Sequence, residues 1–282
     1  MTHSSPGWLL CEARHAAKPR RMEGVLSEGR DVGQLAQITR RTDARTVALA
    51  AYRQLDDLLG SLSGRDWSAP TACPGWSVSD MVGHLIGAAR GNASLLEFTR
   101  QQLWGFRHRR HFGGNPLDAV NARQIADHTR LPDSHRAEVL RAVVPDAVRG
   151  RLRLSAWAGA VRVPISSDGS AAGGMPSIVS LARLLDVVYT RDVWMHTIDI
   201  AEAVGGDLPM AAAVNSRICQ DVVIDWVRRH RQPVDLVLSG PAGGHYRSGP
   251  HAEAIELGAI EFCRILSGRI PGDGLLNVKV LF

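Results

Sequence analysis

Apolar and polar positions alternate along this chain with two different periods. From Asp43 to about Gly205 the apolar residues recur at helical spacing, and after Pro233 they alternate as in strands. A first helix is predicted over about Asp43–Ser61, with Thr42 or Asp43 as cap and Val47, Ala51, Leu55, Leu58 and Leu62 as its stripe. The turn Ser63–Trp76 is rich in helix breakers: Gly64, Pro70, Pro74 and Gly75. A second helix starts at Ser77, a good N-cap. Asp80 stands at the return position of a capping box, and Trp76 and Met81 stand at staple positions. Its buried stripe is Val78, Met81, Val82, Leu85, Ile86 and Ala89, with His84 at the edge. Gly83, Gly87 and Gly91 follow at steps of four, a row suited to close helix contact or to a ligand beside His84.

Pro116–Leu154 reads as helical, broken near Leu131-Pro132, with Asp133 able to cap the restart. Ala158–Pro176 reads as a loop. A long helix is then predicted over about Ser177–Val204, ending at Gly205-Gly206. Its buried seam is Ile178, Ala182, Leu185, Tyr189, Asp192, His196, Asp199 and Ala203, so an apolar seam holds two carboxylates and an imidazole at its centre. A buried carboxylate is costly unless it is paired, hydrogen-bonded or bound to a metal. Asp192 and His196, four apart, sit one above the other, as two ligands on one helix would.

Another helix follows Pro209 to about Arg231. Val234–Ser239, a strand after Gly243-Gly244, Ala254–Leu257 and Leu275–Phe282 read as strands, with a helix from Gly258 to Ser267. The fold class expected is mainly α, a helical bundle over residues 39–206 followed by a small α+β domain over 207–282. Residues 1–38 carry a basic cluster and no amphipathic period. They read as a disordered extension, or as one preceding a true start at Met22, and deleting residues 1–21 should leave the melting temperature nearly unchanged.

Composition narrows the function classes. The chain has 282 residues, 45% of them hydrophobic, and a formal net charge of +5. No apolar run is long enough for a membrane span. The basic residues are scattered without a nucleic-acid-binding pattern, so neither membrane nor nucleic acid is an expected partner. Cys11, Cys73, Cys219 and Cys263 form no CxxC pair and no disulfide framework, and no secretory signal is found. The cytoplasm is the expected compartment, and the chain a monomer or homodimer.

Facing helices of a bundle can bring His84 against Asp192 and His196. Two imidazoles and a carboxylate leave positions open, as in catalytic zinc sites, and the set also suits non-haem iron or nickel. The alternative from the residues alone is a hydrogen-bonded polar seam that binds nothing.

Trp67–Leu85, with its Pro70-Thr-Ala-Cys-Pro-Gly-Trp76 core, resembles the opening of the mycothiol-dependent maleylpyruvate isomerase family of DinB-like four-helix bundles. Tyr189–Ile200 looks like that family's second metal motif, and Glu261–Arg269 looks like part of its C-terminal domain. The resemblance spans about residues 35–282. It implies His84, Asp192 and His196 as ligands of a divalent metal, zinc first. Aspartate at 192 departs from the family's glutamate. The resemblance also offers Arg269 as the match to a functional arginine, and mycothiol as a thiol co-substrate attacking an electrophilic small molecule. Asp199 is expected to steady a ligand by a hydrogen bond. The function expected is a metal- and thiol-dependent isomerase or transferase. The alternative is a metal-binding or sensory protein without turnover.

Overall fold

The structure is a computed structural model that describes residues 29–164, 178–206, 212–252 and 254–282. These fall into two compact units. The first takes the described residues of 39–206 and the second takes 29–38 with those from 212 onward.

The first unit is helical. It comprises α1 (Ala44–Ser61), α2 (Val78–Ala93), α3 (Leu95–His108), α4 (Pro116–Ala126), α5 (Asp133–Ala158), α6 (Leu181–Arg183) and α7 (Tyr189–Ala203). Helix α5 packs on α1 and α2, and α7 packs on the same two, so four long helices close a ring around one core. Leu55, Met81, Leu85, Ile86, Met195 and Ile198 fill it. Helices α3 and α4 pair with each other and lean on α2.

Helix α2 begins as its sequence specifies. Ser77 Oγ accepts from the Asp80 N–H at 3.1 Å, and the Ser77 N–H donates to Asp80 Oδ2 at 3.0 Å, a closed capping box. Pro132, not Asp133, occupies the N-cap position of α5. Asp133 is its first residue and accepts from Ser79 Oγ and Arg136 Nε, both at 2.8 Å, tying the starts of α2 and α5 together.

The glycine row serves helix contact. A Cβ on Gly87 would meet the Gln124 side chain at 2.6 Å, and one on Gly91 would meet Gln101 Oε1 at 3.1 Å. Gln101 and Gln124 are buried and bonded to each other at 2.8 Å, so neither moves freely. Gly87→Ala should therefore destabilise the protein by about 1–3 kcal/mol through overpacking, although alanine is the better helix former by about 1 kcal/mol. Chemical denaturation checks the sign, since stabilisation would mean that α4 yields.

Two expectations for this unit are corrected. The predicted helix over Ser177–Val204 does not run as one. Ile178–Ser180 forms strand β3, antiparallel to β2 (Arg162–Pro164), and Ile178 is 51% exposed rather than part of a seam. Between α6 and α7, Leu184–Val188 form a π-turn. Such a turn adds one residue to a helix, and apolar spacing alone does not reveal it. The expected loop Ala158–Pro176 begins with helix end and strand, and its residues 165–176 lie outside the described residues.

The second unit holds α8 (Ala212–His230), strands β4 (Val234–Ser239), β5 (Gly244–Ser248) and β6 (Ala254–Gly258), and α9 (Ala259–Leu266). With β1 (Arg30–Asp31) the sheet order is β1-β5-β4-β6, with β4 antiparallel to β5 and parallel to β6. Leu236, Leu238, Tyr246, Phe262 and Trp226 make its core, with Trp226 edge-on to Phe262 at 5.3 Å.

Strand β1 is Arg30–Asp31, parallel to β5. This corrects the reading of residues 1–38 as an extension apart from the fold, because residues 29–38 belong to the second unit; residues 1–28 lie outside the described residues. The expected strand Leu275–Phe282 is also absent. Gly274–Asn277 is a 3-10 turn, and β1 and β6 already occupy both sheet edges.

Candidate metal centre

Residues from three segments meet in the first unit. The loop before α2 is closed by a bridge between Pro70 and Ser77 and by the Thr71 N–H donating to the Trp76 carbonyl at 2.9 Å. Gly75 turns it at φ +79°, a conformation that favours glycine. This places the half-buried Trp76 ring 5.2 Å from that of His84 and 6.2 Å from that of His196. His84 comes from α2; Asp192 and His196 come from α7.

The ring centroids of His84 and His196 are 5.4 Å apart and nearly perpendicular. Asp192 lies between them, with Oδ2 3.5 Å from His84 Nε2 and Oδ1 3.3 Å from His196 Nε2. The donor atoms of the three residues lie within 4.8 Å of one another. Both imidazoles are buried, and Asp192 keeps a quarter of its side chain open to solvent. On its far side His196 Nδ1 meets Oδ2 of the fully buried Asp199 at 3.0 Å. His84 Nδ1 is buried without a hydrogen-bond partner.

The structure thus brings together His84, Asp192, His196 and Asp199. Arg269 belongs to the second unit, half-buried in the turn after α9. Sequence reasoning missed Cys73 as a neighbour of this cluster: its thiol, His196 and Asp199 offer donor atoms within 4.8 Å of one another. The signal was its place in the Pro-Thr-Ala-Cys-Pro-Gly-Trp loop, three residues before Trp76.

The charges are strongly coupled. Burial opposes ionisation of Asp192, but the charge of His196 and the close approach of both imidazoles hold its carboxyl far below the usual range. Burial likewise opposes the His196 imidazolium, but Asp192, helped by Asp199 and Cys73, raises its pKa well above 6.5. For the metal-free protein the signs follow from linkage. The His196 contribution is full below its unfolded value of about 6.5 and is lost as pH rises through the raised folded value. The Asp192 contribution is present above about 4 and is lost only in strong acid, as pH falls through the depressed folded value. The melting temperature of chelator-treated protein should therefore be flat between about pH 5 and 6 and decline above neutrality. A rise over the alkaline range would contradict the coupling.

Among the described residues, no helix is long and apolar enough to cross a membrane. Two uncharacterised proteins of Mycobacterium tuberculosis, from strains CDC 1551 and H37Rv, are each 26% identical over 234 residues, covering 76% of this chain and 80% of theirs. A crystal structure of the mycothiol-dependent maleylpyruvate isomerase is similar at 17% identity and a TM-score of 0.47, covering 85% of this chain and 92% of its own. A variant of it with one histidine changed to alanine gives 15% and 0.48 over the same shares. The family described as the mycothiol maleylpyruvate isomerase N-terminal domain matches residues 48–201, more than half of the chain and the span from within α1 through His84 to Asp199. The chain belongs to the mycothiol-dependent maleylpyruvate isomerase family.

Proposed function

We propose that this protein is a metal- and thiol-dependent isomerase or transferase, acting on a small electrophile in the first unit. The observation that carries the reading is the spacing of His84, Asp192 and His196. Contacts of 3.3 and 3.5 Å are long for charge-assisted hydrogen bonds, which run at about 2.7–2.9 Å. They suit the edges between ligands that share one ion at bond lengths of about 2.0–2.2 Å. The donors fit a divalent metal, zinc first, with nickel or iron also suited.

Such an ion, when bound, supplies the acidity that makes a thiol lose its proton at neutral pH. The remaining work falls to the chain. Asp199 holds Nδ1 of His196 and so keeps Nε2 turned toward Asp192. Asp192, shorter by one methylene than the family's glutamate, reaches both imidazoles with separate oxygens. Trp76 walls the site beside both rings. Family membership supports mycothiol as the thiol, and a polarised double bond is the electrophile that thiolate addition requires. Arg269 is proposed to hold a substrate carboxylate, on the family resemblance alone.

Elemental analysis of protein purified without a histidine tag, followed by mycothiol consumption with a simple activated alkene, tests the reading. About one metal per chain is expected, with metal-dependent thiol loss for a transferase or thiol-dependent cis–trans isomerisation of the alkene for an isomerase, and metal affinity rises with pH because protons compete for the imidazoles. Metal with neither thiol loss nor thiol-dependent cis–trans isomerisation of the alkene would favour a non-catalytic metal-binding or sensory protein. Absence of metal from the loaded protein would remove the reading's chemical basis.

A further inference from the structure

Arg151 of α5 is 1% exposed and makes one hydrogen bond among the described residues, from Nη2 to Thr190 Oγ1 at 2.6 Å. Its Nε and Nη1 are buried without a partner. A buried guanidinium with idle donors costs several kcal/mol unless something accepts from them. Arg151 also lines a cavity of about 820 Å³, within the size range of small-molecule sites. The other walls are largely apolar, Phe98, Leu154, Trp157, Leu184, Leu185 and Tyr189 among them, with the exposed Arg153 as the other charged residue on the lining. Leu184 and Leu185 come from the π-turn, a distortion often found at functional sites. One turn after Arg151, the Ser155 hydroxyl is likewise buried and unpartnered.

The charged and titratable groups around Arg151 do not satisfy it. Tyr52, Tyr189, Asp186 and Asp192 are near enough for their charges to be felt, but none forms an ion pair or hydrogen bond with it among the described residues. Asp186 instead accepts from the Arg40 N–H at 2.9 Å. Thr190, the anchor of Arg151, is two residues before Asp192 on α7.

We propose that this cavity binds a small carboxylate with an apolar body, its charge received by Arg151 and its body by the leucine and aromatic walls. A carboxylate is a compact, acceptor-only group that matches guanidinium donors, and the apolar lining favours it over a bare inorganic anion. The binding itself needs no metal; that the ligand is the electrophile of the reaction rests on the function proposed above.

The test is calorimetric titration with benzoate, benzamide and inorganic phosphate. Benzoate should bind at least about tenfold tighter than isosteric benzamide, and phosphate should be weaker still. Arg151→Met should abolish the preference for the acid while keeping the fold, because an apolar replacement of an unpaired buried charge is tolerated or stabilising. If that variant does not fold, Ala156→Trp at the exposed cavity rim should weaken both aromatic probes. Benzoate should bind undiminished to His196→Ala, which separates this site from the metal reading. Equal binding of benzoate and benzamide, phosphate binding as tightly as benzoate, benzoate binding unchanged in Arg151→Met, or aromatic binding untouched by Ala156→Trp would each overturn the inference.

Discussion

Replacing His196 with alanine is expected to strip the protein of divalent metal and to abolish thiol-dependent turnover. Of the three proposed ligands it is the most constrained: buried, bonded to Asp199 through one nitrogen and facing Asp192 with the other. Its loss leaves His84 and Asp192, two donors on different helices, too few for a tight zinc site. Asp199→Asn should act more gently. The amide can still accept from Nδ1 but brings no charge, so metal affinity should fall about 10- to 100-fold without vanishing. Metal stoichiometry after dialysis, read beside circular dichroism, distinguishes site loss from unfolding. Undiminished stoichiometry in His196→Ala would refute the shared-ligand reading.

Removing residues 29–38 should cost the second unit more than any surface substitution. Val32 and Ile38 are 4% and 2% exposed. The Ile38 N–H donates to Oδ1 of the fully buried Asp221 at 2.7 Å. Arg30 covers the Tyr246 ring at 4.5 Å and bonds Gln220 at 2.8 Å. Two buried aliphatic side chains contribute roughly 1.5–3 kcal/mol each, and a buried carboxylate deprived of a donor adds to the loss. The entropy of ordering ten residues offsets part of it. A net loss of about 2–3 kcal/mol should lower the unit's melting temperature by on the order of 10 °C. Calorimetry on chains starting at Gly29 and at Thr39 isolates the segment. A difference below about 2 °C would mean that it adds nothing.

The two expectations that reached furthest rested on local chemistry. The start of α2 was legible because Ser77 and Asp80 satisfy each other's backbone within one turn. The Asp192–His196 pair was legible because helical spacing stacks residues four apart. Partners that depend on tertiary packing were not. Helix α3 leaves Leu96 and Phe106 83% and 59% exposed, so its apolar pattern does not mark one buried face. Strand β1 is two residues long, below any readable period. Leu275–Phe282 has a strand-like composition but no free edge to join, and Lys279 bonds the carbonyls of Ile265 and Leu276 instead. Arg151 gave no signal because a single arginine in an amphipathic helix looks like any surface cation.

The π-turn at Leu184–Val188 also bears on how such chains are aligned. Each residue advances a helix by about 100°, so one extra residue changes the phase of everything beyond it. Tyr189 to Ala203 are thereby offset against Leu181 to Arg183 relative to an uninterrupted helix. A relative lacking the turn would need a one-residue gap here to match both halves at once. An ungapped alignment would keep the metal motif in step and misplace the apolar residues before it, or the reverse. Single-residue gaps are easily smoothed over as noise, but in this segment one would mark a change in which side chains look inward.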